Sequence, residues 1–227
     1  MPRLKLAIGN KNYSSWSLRP WLVLRQSKLD FQEVHIPLYV PGSAETLARW
    51  SPSGKVPALQ DGDVVVWDSL AICEYLAEQH PEKSLWPCDV AARAVARAVS
   101  AEMHSGFSDL RSAMPMNCRG RFPGKGLTEG SRRDITRVVA IWNDCRKRFG
   151  RGGDFLFGQF TIADAMYAPV VLRFLTYGVA LEGAARTYAD TISALPAMQE
   201  WLKAGYEEAD VIEAFEIYRS PGEIERL

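Results

Sequence analysis

Every strand-like run in this chain of 227 residues lies before residue 68, and nothing after residue 89 alternates with a period of two. That one-sided distribution points to a small sheet covered by helices, followed by an all-helical half. Residues 4–9 (LKLAIG) form a short apolar run that reads as a strand. Residues 17–26 (SLRPWLVLRQ) read as a helix, with Pro20 acceptable only in its first turn. Residues 31–38 alternate as a second strand. Residues 39–54 carry Pro41, Gly42, Pro52 and Gly54 and read as loop, with a short helical stretch around 45–50. Residues 56–60 and 64–67 are two further strands joined by Asp61-Gly62-Asp63; an Asp-Gly pair between apolar runs marks a hairpin. Asp68 or Ser69 then caps a helix running to about residue 79.

The order is β-α-β-loop-β-β-α. Its first unit should be a right-handed parallel crossover and its hairpin antiparallel, giving a small mixed sheet covered by helices. The stretch from His80 to Pro87 is punctuated and polar, like a linker. Helical patterns follow at 91–111, 132–149, 161–177, 184–192 and 196–208. The expected organisation is an α/β domain over 1–80, a linker over 81–88 and an all-α domain over 89–227.

Lys+Arg and Asp+Glu both number 27, so the formal net charge is zero and nothing favours a nucleic-acid partner. The basic patch at 146–153 (RKRFGRGG) reads as a helix end and loop. No segment approaches the roughly 20 apolar residues needed to span a membrane. The first ten residues lack a signal-peptide pattern, and a cytoplasmic location is expected. Cys73, Cys88, Cys118 and Cys145 form no CxxC pair and no metal-ligand spacing, so free thiols and no metal site are expected. Cys73, in an apolar helix pattern, reads as packing, as do Trp142 and Trp201.

Three motifs remain. Ser14-Ser15-Trp16-Ser17-Leu18-Arg19 sits between the first strand and first helix. Lys55-Val56-Pro57-Ala58-Leu59 opens the third strand. Asp68-Ser69-Leu70-Ala71-Ile72, with Tyr75-Leu76, opens the second strong helix. Unpaired N–H groups at a strand-to-helix junction favour an anion. Together and in this order the motifs resemble those of the cytosolic glutathione transferases. The first is similar to the SSCSWR segment of the zeta class, the maleylacetoacetate isomerases. The resemblance implies a thioredoxin-like α/β domain followed by an all-helical one, a homodimer, and glutathione as co-substrate.

It also implies roles. In the family the Pro57 peptide is cis, which turns the Val56 backbone outward to pair with the glutathione peptide like an added strand. Lys55, Val56, Pro57, Asp68 and Ser69 are the candidate glutathione-binding residues, with Ser69 for the γ-glutamyl carboxylate and Asp68 for its ammonium. Ser14 is the candidate donor to the glutathione thiolate, Ser15 is next, and Tyr13 is a third hydroxyl. A free thiol titrates near pH 8.5, and lowering it by about two units takes about 2.7 kcal/mol. One charge-assisted hydrogen bond of roughly 1.5–3 kcal/mol nearly supplies that. Trp16, His104, Phe107 and Arg111 are candidates for the electrophile site, and Arg173 for contact with an acidic group.

Trp16 stands where the zeta class has cysteine. That argues against thiol–disulfide chemistry and leaves zeta-type isomerisation without its usual residue. The expected activity is conjugation of glutathione to a small electrophile, or isomerisation of one. The competing reading is a non-catalytic module of the same fold. Thr161-Ile162-Ala163-Asp164 fits a structural capping box.

Overall fold

The computed structural model describes residues 3–219. Its first part runs β1 (Leu4–Ile8), α1 (Ser15–Gln26), β2 (Phe31–His35), α2 (Ser43–Trp50), β3 (Ala58–Asp61), β4 (Val64–Val66) and α3 (Ser69–Gln79). The sheet order is β2-β1-β3-β4. β1 and β2 are parallel, and β3 is antiparallel to both β1 and β4. This is the expected crossover and hairpin. Asp61 faces Val64 across a two-residue turn, where Gly62 takes φ +59°. Pro57 has no N–H for a ladder, and β3 begins one residue after it.

Helices follow: α4 (Val90–Ser105), α5 (Ser108–Ala113), α6 (Glu129–Phe149), α7 (Ile162–Tyr177), α8 (Gly183–Ala194) and α9 (Pro196–Glu207), with a last short 3-10 turn at Glu213–Phe215. β1 alternates, so Leu4, Leu6 and Ile8 enter the large core while Ala7 faces the other side. On the core side α1 packs against α3, α7 and α9. Trp21, Trp142, Trp201 and Cys73 are buried in this one continuous core. On the opposite face Ala7, Ile36 and Ala58 are covered by Leu47 and Trp50 of α2.

Two expectations are corrected. α1 starts at Ser15, two residues before the expected 17, because Ser14 is its N-cap; Pro20 therefore lies inside the helix, beyond the first turn. The single helix expected over 91–111 is two. Gly106 ends α4, where a Cβ would meet the Glu102 carbonyl at 2.8 Å, and Phe107 takes φ +60°. Phe107 turns its ring into the core, and α5 resumes with Leu110 buried, which is why the apolar pattern looked unbroken.

α7 is buried along nearly its whole length. It starts from the expected capping box: Asp164 Oδ2 accepts from the Thr161 N–H at 2.7 Å and the Thr161 hydroxyl at 3.1 Å. Asp164 Oδ1 accepts from Leu156 N–H at 3.0 Å. The 146–153 patch is a helix end and loop, with Arg146 donating to the carbonyls of Gly150, Gly153 and Phe155.

Candidate active site

A cavity of about 720 Å³ opens between the start of α1, α2, and the helices behind them. Ser14, Ser15 and Trp16 line one wall; Lys55 and Val56 line another; Arg111 and Arg173 close the helical side. Among the described residues, none that lines it is acidic. The Val56–Pro57 peptide is cis. The N–H and C=O of Val56 take no backbone partner among the described residues.

The turn before α1 is built from hydroxyls. Ser14 Oγ donates to Ser17 Oγ at 2.7 Å and takes the Ser17 N–H at 3.4 Å. Ser17 Oγ is anchored by the Gly9 N–H at 3.1 Å, at the end of β1. Ser15 Oγ accepts from Arg173 Nη2 at 3.3 Å. Tyr13 is not free: its hydroxyl donates to Glu216 at 2.5 Å and accepts from Arg119 at 2.9 Å. Burial, then the bond to Glu216, pushes its pKa up.

Trp16 is gripped by cations. The Arg19 guanidinium lies 4.2 Å and that of Arg111 4.7 Å from its ring centroid, and His104 meets it edge-on at 5.3 Å. Arg111 also donates to the carbonyls of Met103 and Gly106, closing the end of α4. Arg19 is completely buried, and none of its guanidinium nitrogens has a hydrogen-bond partner among the described residues. Burial, then Arg111 and Arg173, pushes its pKa well down.

The remaining candidates lie off the cavity wall. Asp68 caps α3, with Oδ1 accepting from Leu70 N–H at 3.0 Å and Ala71 N–H at 3.2 Å. Its Oδ2 is hydrogen-bonded to His104 Nε2. Ser69 is 1% exposed and its hydroxyl has no partner among the described residues. Phe107 is in the core. Cavity residues that the sequence did not single out include Tyr39 and Phe215. Phe215 arrives on the C-terminal segment and stacks on Tyr13 at 5.8 Å, a contact between chain ends that no local pattern announces.

The fold is a two-part scaffold: a thioredoxin-like sheet with helices, backed by a helical bundle. The family description "Glutathione S-transferase, N-terminal domain" matches residues 13–79, and "Glutathione S-transferase, C-terminal domain" matches 127–204. Glutathione S-transferase Z2 of Arabidopsis thaliana is 36% identical over 172 residues, covering 70% of this chain and 75% of the relative. A probable maleylacetoacetate isomerase of Caenorhabditis elegans is 28% identical, covering 68% of this chain and 73% of its own. Among solved structures, a glutathione transferase homologue from Burkholderia GL BGR1 with bound glutathione superposes with a TM-score of 0.69. It is 23% identical, covering 92% of this chain and all of that one. The chain belongs to the glutathione S-transferase family.

Proposed function

We propose that the protein is a glutathione transferase that binds glutathione in this cavity, holds its sulfur as the thiolate beside a serine hydroxyl, and transfers it to a small electrophile. The observation that carries this reading is the meeting of the Ser14–Ser15 turn and Val56, whose backbone groups take no backbone partner among the described residues, on one cavity. The unpaired Val56 groups suit the peptide of glutathione, and Lys55 suits one of its carboxylates. Ser14 and Ser15 sit at the N-terminus of a twelve-residue helix, where unpaired N–H groups favour an anion. Trp16 and Arg111 wall the electrophile side. Asp68 and Ser69 complete the γ-glutamyl end once His104 yields Asp68 Oδ2. The reading takes residues 1–80 as the glutathione-binding domain, 81–88 as the linker and 89–227 as the helical domain.

We further propose a cytoplasmic homodimer. Support for pairing comes from β4, where Val64, Val65 and the adjoining Trp67 are exposed at the sheet edge. Sedimentation at micromolar concentration should give twice the chain mass, and a mass near 25.4 kDa would exclude it. The activity is tested by calorimetry with glutathione followed by a panel of haloaromatic, enone and cis-enone electrophiles. Binding with turnover on some of them is expected. No heat and no thermal shift at millimolar glutathione would refute the reading; binding without turnover would favour the non-catalytic module.

A further inference from the structure

We propose that Phe215 is the size gate on the electrophile side of the cavity, and that Glu216 is the positioning residue that latches it shut. The proposal rests on the glutathione reading above and narrows it to compact electrophiles.

Phe215 stands between two aromatic residues of the α/β half. Its ring stacks on Tyr13 with centroids 5.8 Å apart and planes 27° apart, and it meets Tyr39 edge-on at 6.0 Å. All three residues line the cavity. Tyr13 belongs to the turn before α1 and Tyr39 to the connection between β2 and α2. The Phe215 ring fills the space between these two turns. Ser14 and Ser15 follow Tyr13 directly, so a substituent on a glutathione sulfur held beside them has this aromatic group within reach as it lengthens.

The segment that carries Phe215 is held by side chains rather than by a core. Of residues 211–218, Ile212 alone is buried, and Val211 and Ile217 are largely exposed. The backbone-to-backbone bonds of Phe215 and Glu216 are local turns, to Ile212 and Glu213. Glu216 supplies the hold. Its Oε1 accepts from the Tyr13 hydroxyl at 2.5 Å and its Oε2 from Asn117 Nδ2 at 2.9 Å, so both carboxylate oxygens are used. Arg219 Nη1 lies 3.6 Å from Oε1. Asn117 is buried and itself fixed: its Oδ1 accepts from Gly120 N–H at 3.0 Å and its carbonyl from the Thr176 hydroxyl at 3.0 Å. Glu216 therefore ties the α/β half to the helical half, right beside Phe215. Bonds to an ionised carboxylate are the stronger kind. Tyr218 adds a tie on the other side, from its hydroxyl to the Ala113 carbonyl at 2.8 Å. A stretch with few buried apolar groups and a handful of polar ties opens locally at less cost than a core helix such as α7. A compact ligand fits with the ring in place; a longer one has to displace the ring and strain the latch.

The test is calorimetric affinity for glutathione, S-methylglutathione and S-(biphenylmethyl)glutathione. It is measured in the wild type and in Phe215→Ala, Phe215→Leu, Glu216→Gln and the Phe215→Ala/Glu216→Gln pair, with thermal denaturation confirming folding. The readout is the ratio of biphenylmethyl to methyl affinity, which a general loss of structure leaves unmoved because it weakens both. Phe215→Ala should raise that ratio about tenfold or more, and Phe215→Leu about threefold, with S-methylglutathione affinity unchanged within about threefold. Glu216→Gln should raise it about threefold, since one amide oxygen cannot take both donors. The pair should match Phe215→Ala alone, because the latch acts through the ring. If Phe215→Ala does not fold, Phe215→Leu decides; if Glu216→Gln does not fold, Tyr13→Phe, which removes the same hydroxyl, takes its place with the same expected rise. An unchanged ratio in the Phe215 variants overturns the gate, and a ratio that rises further in the pair overturns the latch; either leaves the glutathione reading intact. Failure of the wild type to bind both glutathione and S-methylglutathione overturns both readings.

Discussion

His104 on α4 and Asp68 at the head of α3, 36 residues apart, are joined by a hydrogen bond from one ring nitrogen to one carboxylate oxygen. Asp68 Oδ1 is already spent on two backbone N–H groups of α3. Oδ2 is therefore the oxygen left for the glutathione ammonium in the proposed site, and the imidazole sits on it. Two donors competing for one oxygen should weaken the second. His104→Ala is expected to tighten glutathione binding by about twofold to fivefold, in line with a partly exposed pair worth up to about 1 kcal/mol. Calorimetry decides it; weaker binding in that variant would show that the histidine orients the carboxylate instead.

The buried Arg19 has a ring beneath it and no hydrogen-bond partner among the described residues. A cation–π contact gives about 0.5–2 kcal/mol, less than the cost of keeping a guanidinium from water. Arg19→Met should therefore leave thermal stability unchanged or raise it, by up to about 3 kcal/mol. A fall in denaturation midpoint of several degrees would mean that an anion supports the charge in solution.

Asp164 is fully buried, and desolvation holds its pKa up at about 6 despite the bonds from Leu156 and Thr161. The unfolded value is about 3.9, so the folded state binds the proton more tightly. The stability this gives is complete below about pH 3.9 and is lost as pH rises through about 6. The margin of wild type over Asp164→Asn should shrink by about 2–3 kcal/mol between roughly pH 4 and pH 6.5. Denaturant titrations at both ends measure it, and a flat or growing margin would refute the assignment.

Thiol–disulfide exchange is not expected. Cys118 and Cys145 are held up to about 12 by burial, and burial pushes Cys73 up further. Cys88 is the exposed cysteine, in the connection before α4 and away from the cavity lining. With no low-pKa thiol at the start of α1, glutathione-dependent reduction of hydroxyethyl disulfide should be near background. Robust turnover that disappears on replacing one cysteine would contradict this.

The sheet was legible in the sequence because β1 to β4 are short apolar runs cut by strong turn signals, with Asp61-Gly62 the clearest. The break at Gly106–Phe107 was not, since both fragments keep their apolar residues on one face and only a left-handed backbone at Phe107 separates them. The site was half legible. Ser14, Ser15, Lys55 and Val56 meet on the cavity because they follow β1 and precede β3, two antiparallel central strands whose end and start lie at the same end of the sheet. The bond from Arg173 to Ser15 spans 158 residues and depends on how α7 crosses α1, which no local spacing encodes. His104 was noticed, but its partner Asp68 lies on another helix.

The loop that leads into Ser14 and Ser15 is finished by the far end of the chain. Glu208 accepts the N–H groups of Lys11 and Asn12, Asp210 takes the Asn10 amide, and Arg119 donates to the carbonyls of residues 208 and 210. Gly205 lets α9 approach closely, since a Cβ there would lie 3.3 Å from the Asn12 nitrogen. A ribosome delivers those partners about 200 residues after it delivers the loop. The sheet can form early in translation, but the cavity gains its last wall only when the closing segment emerges, so a nascent chain carries a sheet without a finished site.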